Sequence, residues 1–371
     1  MKLEGIRVLD MSSFLPGPYL TLSMADHGAE VIKIEAPGEG DPGRAILPMD
    51  GAHSAFFRNL NRGKKSIVLN LKNDDDREQL LKLAETADVI VESSRPGVAR
   101  RLGVDYESVA ARNPGIVYCA ISAFGQDGPY AGRAAHDLAV EAISGVLSAN
   151  LDSDARPVHP ALPMADLLAG LQGLSGVLMA LLAREKTGRG DFIDISMQEA
   201  LVGSTQNILA TALNQREPVD FSQARSTGGA AFYDIYDTSD GHQIVLAGQE
   251  PKFIRNLLSH LGRDDLVACC LSGPGPHQQP ARDFLAGVFK SKPLAQSEAM
   301  LSSLDVCWGR VNDFVQALDD PHLAERGFIL TDKDGQRHIG PPIRFRNEPA
   351  QPDLSPPELD AHRTLIGKEP S

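Results

Sequence analysis

Ile6-Arg7-Val8-Leu9-Asp10, then Gly17 to His27, then Glu30-Val31-Ile32-Lys33-Ile34-Glu35: this opening stretch decides the fold. The first run is apolar, of strand length, and ends in a polar turn. The second has apolar residues at helical spacing, and the third reads as another strand. A strand, helix, strand unit of this length calls for a parallel pair joined by a helical crossover. The pattern recurs downstream, with Ser66 to Leu71, Val89-Ile90-Val91 and Ile116 to Ile121 as strands and Asp74 to Ala87 as a helix. The first lobe is therefore expected to be α/β with a parallel sheet and helical crossovers.

A chain of 371 residues that is 42% hydrophobic exceeds the size at which a single core stops growing, so two lobes are expected. After Gly145 comes a polar loop, Asn150 to Pro163, and then a helix from Asp166 to Glu185 closed by Gly188. A strand, Phe192 to Ser196, and a helix, Gln198 to Leu213, follow. The second lobe begins near Gly228, where Phe232 to Tyr236, the turn Ser239-Asp240-Gly241 and Gln243 to Leu246 form a hairpin by alternation and turn chemistry. Helical spacing returns at Pro251 to Leu261 and Ala281 to Phe289, and the proline-rich run Gly340 to Ser355 reads as an extended tail. The expected division is a large α/β domain over 1–215, a small α+β domain over 216–330, and a C-terminal segment, 331–371, returning to the large domain.

The formal charge of -13, from 49 acidic and 36 basic residues, argues against a nucleic-acid or anionic-membrane surface. The cysteines, Cys119, Cys269, Cys270 and Cys307, lack metal-ligand spacing and read as reduced packing residues, so the expected compartment is the cytoplasm and no metal is expected. Met1 to Gly5 has no secretory apolar run. Leu167 to Ala183, the most membrane-like segment, is interrupted by glycines and Gln172 and reads as a buried helix.

Glu35 after the second strand invites a dinucleotide reading. The first turn argues against it, because Leu15-Pro16-Gly17-Pro18 lacks the glycine fingerprint and its prolines remove N–H groups that a pyrophosphate needs. Two basic clusters, Asn61 to Ser66 and Arg95 with Arg100 and Arg101, fit a phosphate-rich ligand in an otherwise acidic protein, although such residues are commonly solvated loop charges. His136 follows a glycine-rich turn, and Asp166 heads an apolar helix. Each has a plain structural role available, packing for the histidine and helix capping for the aspartate. Together they form an acid–base pair, and the placement of Asp166 is expected to favour its ionised form. Glu250, in Gly248-Gln249-Glu250-Pro251, heads another expected helix.

These residues are recognisable together. Gly5 to Asp10, Gly28 to Glu35, Asn61 to Leu71, Ala87 to Gly97 ending in Arg95-Pro96-Gly97, Gly125 to Tyr130, and Thr187 to Asp191 with Asp194 to Met197 resemble the CaiB/BaiF family. This family comprises the family III CoA-transferases and the α-methylacyl-CoA racemases. The resemblance spans nearly the whole chain. It implies a large and a small domain, an interlocked homodimer, and coenzyme A held as part of an acyl-CoA substrate rather than as a permanently bound cofactor. Carried over by position, Gly63, Lys64, Lys65, Ser66, Ser93, Ser94, Arg95, Arg101, Ala134, Ala135 and Asp137 line the CoA site.

The resemblance offers two reactions. In the transferases an aspartate at the position of Asp166 forms a mixed anhydride and then a CoA thioester. In the racemases the same aspartate and a histidine, here in Ala135-His136-Asp137, remove and return an α-proton, with a glutamate at the position of Glu250 assisting. Gly228 to Asp234 and Gly248 to Pro251 resemble racemase sequence, and Leu15 stands where formyl-CoA transferases have glutamine. Against this, Asp166 is followed by Leu167-Leu168-Ala169-Gly170 rather than a glycine-rich run, and Ala36 replaces a common arginine. The expectation places racemisation of a 2-methylacyl-CoA slightly ahead of CoA transfer between carboxylic acids.

Overall fold

The computed structural model describes residues 1–152, 154–221 and 223–366. It divides into two compact units, Met1–Thr205 with His322–Ser371, and Gln206–Pro321, against expected boundaries at 215/216 and 330/331.

The first unit opens with β1 (Arg7–Asp10), α1 (Pro16–Asp26) and β2 (Glu30–Glu35). It continues through α2 (Ala55–Asn61), β3 (Lys65–Val68), α3 (Asp74–Ala84), β4 (Val89–Glu92) and β5 (Val117–Ser122). Then come α4 (Asp137–Ile143), α5 (Met164–Thr187), β6 (Phe192–Ser196) and α6 (Met197–Gly203). The six strands form one parallel sheet in the order β3-β2-β1-β4-β5-β6.

Helices cover both faces, so β4 and β5 read as nearly continuous apolar runs, while β1 and β2 are buried along almost their whole length although they carry Arg7, Asp10, Lys33 and Glu35. Val8, Val31, Val89, Val91, Val117 and Ile121 pack toward α1 and α5, whereas Leu9, Ile32, Ile67, Ile90 and Tyr118 pack toward α3. The expected alternation of strand and helix is what this sheet requires.

Helix α5 extends the expected segment at both ends and stops at Gly188 in the left-handed conformation. By length and composition it is the one helix among the described residues apolar enough to cross a membrane. One face, with Ala165, Ala169, Leu174, Val177 and Leu181, is buried against the sheet core. Its glycines admit a close neighbour, since a Cβ at Gly170 would lie 2.7 Å from the Pro16 carbonyl oxygen of α1.

One helix expectation needs correction. Gln198 to Leu213 is not continuous: α6 ends at Gly203, and the next helix spans Ala210–Gln215. Gly203-Ser204-Thr205 is a poor helix continuation, and the Ser204 and Thr205 hydroxyls donate back to the Ala200 and Val202 carbonyls at 2.8 and 2.7 Å. The unit boundary falls here.

The second unit is α+β. The expected hairpin forms β7 (Tyr233–Asp237) and β8 (Gln243–Ala247), followed by α7 (Pro251–His260), α8 (Gln279–Lys290), α9 (Leu294–Ser302) and β9 (Trp308–Arg310). The antiparallel order is β9-β8-β7. Back in the first unit, β10 (Ile329–Thr331) pairs with β11 (Arg337–Ile339). The tail then runs along β3, where Gly63 N–H donates to Ser355 O at 2.8 Å and Val68 N–H to Asp360 Oδ1 at 2.8 Å.

Candidate functional site

In an open parallel sheet, ligands bind at the carboxyl ends of the strands where the strand order reverses. That point lies between β1 and β4. The loop after β1, Met11 to Leu15, is held from beneath by a buried ion network. Asp10 accepts from Ser12 N–H at 3.0 Å, Thr21 Oγ1 at 2.7 Å and Lys64 Nζ at 3.0 Å, while Lys33 Nζ donates to Ser12 O at 2.9 Å. Burial alone would raise the Asp10 carboxyl, but Lys33, Lys64 and the two hydroxyls hold it well below the usual carboxylate range. Burial likewise pushes the Lys64 amine down to about 8, against the pull of Asp10. A side chain at Gly17 would overlap Ser12, so the loop folds onto α1 only with glycine there.

At the tip of this loop Phe14 has φ of 62°, a left-handed backbone that is strained for an aromatic residue. Its ring stands edge-on to His136 with centroids 5.9 Å apart. Both side a cleft of about 430 Å³ that also contains Ser93, Ser94, Arg95, Ala134, Ala135 and Asp166. The candidate acid–base pair, His136 and Asp166, thus shares one cleft. Arg133 lines it too, leaning on the Phe124 and Tyr130 rings, and neither Arg95 nor Arg133 is in an ion pair among the described residues. Ser122, 8% exposed, lines the same cleft with a buried hydroxyl that has no hydrogen-bond partner among the described residues.

Asp166 is the third residue of α5, and Pro163 at the helix start supplies no side-chain cap. Asp137 fills that place from α4: its Oδ1 accepts from Ala165 N–H at 2.8 Å and Asp166 N–H at 3.1 Å. Asp137 therefore stands behind the cleft. Burial, then the charges of Asp137 and Glu141, push the Asp166 carboxyl up to about 7. The expectation that its place at a helix start would favour ionisation is corrected. The helix N-terminus that would stabilise it is already bonded to other carboxylates.

Residues 63–66 lie elsewhere. Lys64 is buried in the network under the first loop, Lys65 is paired with Glu30, and Ser66 Oγ donates to Glu35 Oε1 at 2.6 Å. Gly63 takes a left-handed φ of 69° beside the returning tail. None of the four lines the cleft, nor does Arg101. Glu35 is also bonded to Arg44 at 2.7 Å, leaving it poorly placed to read a ribose.

Sequence reasoning missed a second cleft, of about 240 Å³, at the carboxyl ends of β2 and β3. Ile34, Leu69 and Leu102 give it apolar walls, Asn70 and Lys72 supply polar groups, and Ser13 and Ser94 line both clefts, so the two are contiguous. The signal available was the Leu-Asn-Leu-Lys run after β3. Glu250 belongs to the second unit, exposed at the start of α7. No group of metal-ligating side chains occurs among the described residues.

Comparison with known proteins gives consistent matches. The chain fits the profile of CoA-transferase family III over residues 3–363. It is 30% identical over 377 positions to the succinyl-CoA:glutarate CoA-transferase of Homo sapiens, covering 99% of this chain and 85% of that one. It is 31% identical over 374 positions to the acetyl-CoA:oxalate CoA-transferase of Acetobacter aceti, covering 99% and 95% respectively. A solved CaiB/BaiF family protein from Brucella suis superposes with a TM-score of 0.84 at 29% identity, covering 98% of each chain.

Proposed function

The chain belongs to CoA-transferase family III, and from that premise we propose that it moves coenzyme A from an acyl-CoA thioester to a free carboxylic acid by covalent catalysis at Asp166. The observation that carries the reading is a single carboxylate with raised basicity, held rigidly in a cleft at the switch point of the sheet. The transferase names of the relatives favour this reaction over the racemisation that the sequence alone placed first.

The carboxylate of Asp166 attacks the thioester carbonyl, expelling CoA thiolate and leaving a mixed anhydride. The thiolate then attacks the aspartyl carbonyl, which releases the first acid as its carboxylate and leaves an aspartyl-CoA thioester. The acceptor carboxylate and the thiolate repeat the two steps in reverse order, and Asp166 is regenerated. No net proton is consumed. A nucleophile whose charge is incompletely solvated attacks more readily, which is what the buried setting of Asp166 supplies.

In this reading the nucleotide end of CoA occupies the second cleft, with Asn70 and Lys72 as polar contacts, and the pantetheine arm passes Ser13 and Ser94 toward Asp166. Lys64 acts from beneath by fixing the first loop. The relatives act on dicarboxylic acids by name, and the unpaired guanidinium groups of Arg95 and Arg133 suit such substrates. The chain also forms a homodimer in this reading, supported by an apolar stripe on α5, where Leu171, Leu178, Met179 and Leu182 are exposed.

The test is intact-mass analysis after incubation with succinyl-CoA, with hydroxylamine trapping of the activated aspartyl group. A CoA adduct forms on the wild type and is absent from Asp166→Asn, while His136→Ala still forms it even where turnover slows. Racemisation, which the shared cleft of His136 and Asp166 also accommodates, requires solvent deuterium at the α-carbon of a 2-methylacyl-CoA in D₂O. Label incorporation without any adduct would overturn the transferase reading, and with it Glu250 would regain a role.

A further inference from the structure

We propose that Glu141 is a positioning residue for Asp166: with Asp137 it takes up the N–H donors at the start of α5, so that the helix start no longer favours ionisation of the reacting carboxylate and the Glu141 charge adds to that of Asp137 in opposing it. The proposal rests on the part of that reading that makes Asp166 the reacting carboxylate of the cleft, whether it acts as nucleophile or as base.

Glu141 lies one turn after Asp137 on α4 and is 1% exposed. Its Oε1 accepts from Met164 N–H at 3.0 Å. Asp137 takes the next two N–H groups, those of Ala165 and Asp166. The first three donors of α5 thus end on two carboxylates of a neighbouring helix. An N-terminus normally stabilises an acid in its first turn through these same donors. Here that stabilisation goes to Asp137 and Glu141, and Asp166 receives their repulsion.

Capping alone does not call for a carboxyl at position 141. A glutamine oxygen would accept from Met164 N–H equally well, and its amide would carry no charge. Glu141 instead leaves Oε2 buried with no N–H or hydroxyl donor among the described residues. A buried carboxylate oxygen without such a donor is costly, so the group holds its proton unusually well. Burial raises the Glu141 carboxyl against the lowering by the Met164 N–H bond, and the charge of Asp137 and a hydrogen bond between the two carboxyls raise it further. Glu141 and Asp166 therefore ionise in competition, each charge opposing the other.

The charged neighbours support this isolation. Asp137 faces Glu141 from its own helix and Asp166 faces it from α5. His136 precedes α4 at the cleft, Glu199 on α6 is exposed, and Asp26 on α1 is tied to Arg62 at 2.6 Å. No cation pairs with Asp137, Glu141 or Asp166 among the described residues.

The experiment is Glu141→Gln in the full chain, read in two ways. Carboxyl-carbon NMR of ¹³C-aspartate-labelled protein follows the Asp166 titration, assigned by its loss in Asp166→Asn. The pH profile of kcat/KM for CoA transfer from succinyl-CoA to glutarate follows catalysis. Removing the neighbouring charge moves the Asp166 midpoint, and the acid limb with it, down by about half to one pH unit, whatever the plateau height. A midpoint that stays in place, or a uniform loss of activity with no change of limb, overturns the proposal. Should the variant fail to fold, wild-type protein labelled at both aspartate and glutamate carboxyls decides: Asp166 must titrate in two steps, one coinciding with a buried glutamate, and a single independent step overturns it. A shifted midpoint in a protein that forms no CoA adduct would leave this inference standing while removing the transferase reading.

Discussion

If Asp166 is held against its own ionisation, replacing it should stabilise the protein, and by an amount that depends on pH in a defined direction. Its carboxyl rises from 3.8 to about 7 on folding. A carboxyl with a raised folded pKa binds its proton more tightly in the folded chain than in the unfolded one. Stability from this group is therefore complete below about pH 4, declines as pH rises toward 7, and is flat above. A rise of roughly 3 units corresponds to a ceiling of about 4 kcal/mol, and partial solvation at the cleft lowers this to about 1 to 3 kcal/mol. Asp166→Asn keeps the backbone and size of the residue but carries no charge. It should raise the stability at pH 8 by that amount, or the melting temperature by about 1 to 4 °C, and change it little at pH 4. Urea denaturation followed by circular dichroism at both pH values measures this. Equal stabilisation at the two pH values, or destabilisation at pH 8, would refute the account of Asp166 as an electrostatically strained nucleophile.

Two further outcomes follow from the same geometry. Lys64→Met leaves Asp10 buried with one fewer cation and should destabilise the folded chain by about 3 to 5 kcal/mol, measured by the same denaturation; a loss under 1 kcal/mol would mean that Lys33 alone neutralises Asp10. If the proposed homodimer forms through the exposed stripe of α5, wild-type light scattering gives a dimer mass and Leu182→Lys shifts it toward monomer; a monomeric wild type would refute the dimer, and an unchanged dimer in the variant would place the interface elsewhere.

The sheet could be read from the sequence because parallel strands buried on both faces leave apolar runs, as in β4 and β5, and because the apolar pairs Val8-Leu9 and Val31-Ile32 mark β1 and β2 despite the charged residues beside them. The site was readable where residue type and position act together. Ser93 to Arg95, Ala134 to His136 and Asp166 were identified through motifs and meet in one cleft. What the sequence did not reveal was which charges are already committed. Lys64 and Lys65 read as ligand-binding groups, but side chains far along the chain, Asp10 and Glu30, pair with them. The ionisation of Asp166 was misjudged for the same reason. Its helix start was visible in the sequence, but the Asp137 and Glu141 bonds that occupy that start cross more than twenty residues. Helix α6 was overextended because apolar spacing continues past Gly203, where the chain leaves the first unit.

The strand order also bears on how a sheet built like a dinucleotide-binding one can serve the proposed covalent chemistry. In such sheets the first helix presents its N–H groups to a pyrophosphate. Here Pro16 and Pro18 remove two of the first three donors of α1, and the ion network of Asp10, Lys33 and Lys64 closes the space beneath the loop. The loop is left to contribute surface, the Ser13 side chain and the Phe14 ring, rather than anion-binding donors. In the proposed reaction the charge comes instead from α5, whose Gly170 rests against the Pro16 carbonyl. The proline that withholds an N–H from a phosphate thus also forms the seat for the helix that carries Asp166, so one substitution at Gly170 with a larger side chain would press on the Pro16 carbonyl and displace the proposed nucleophile.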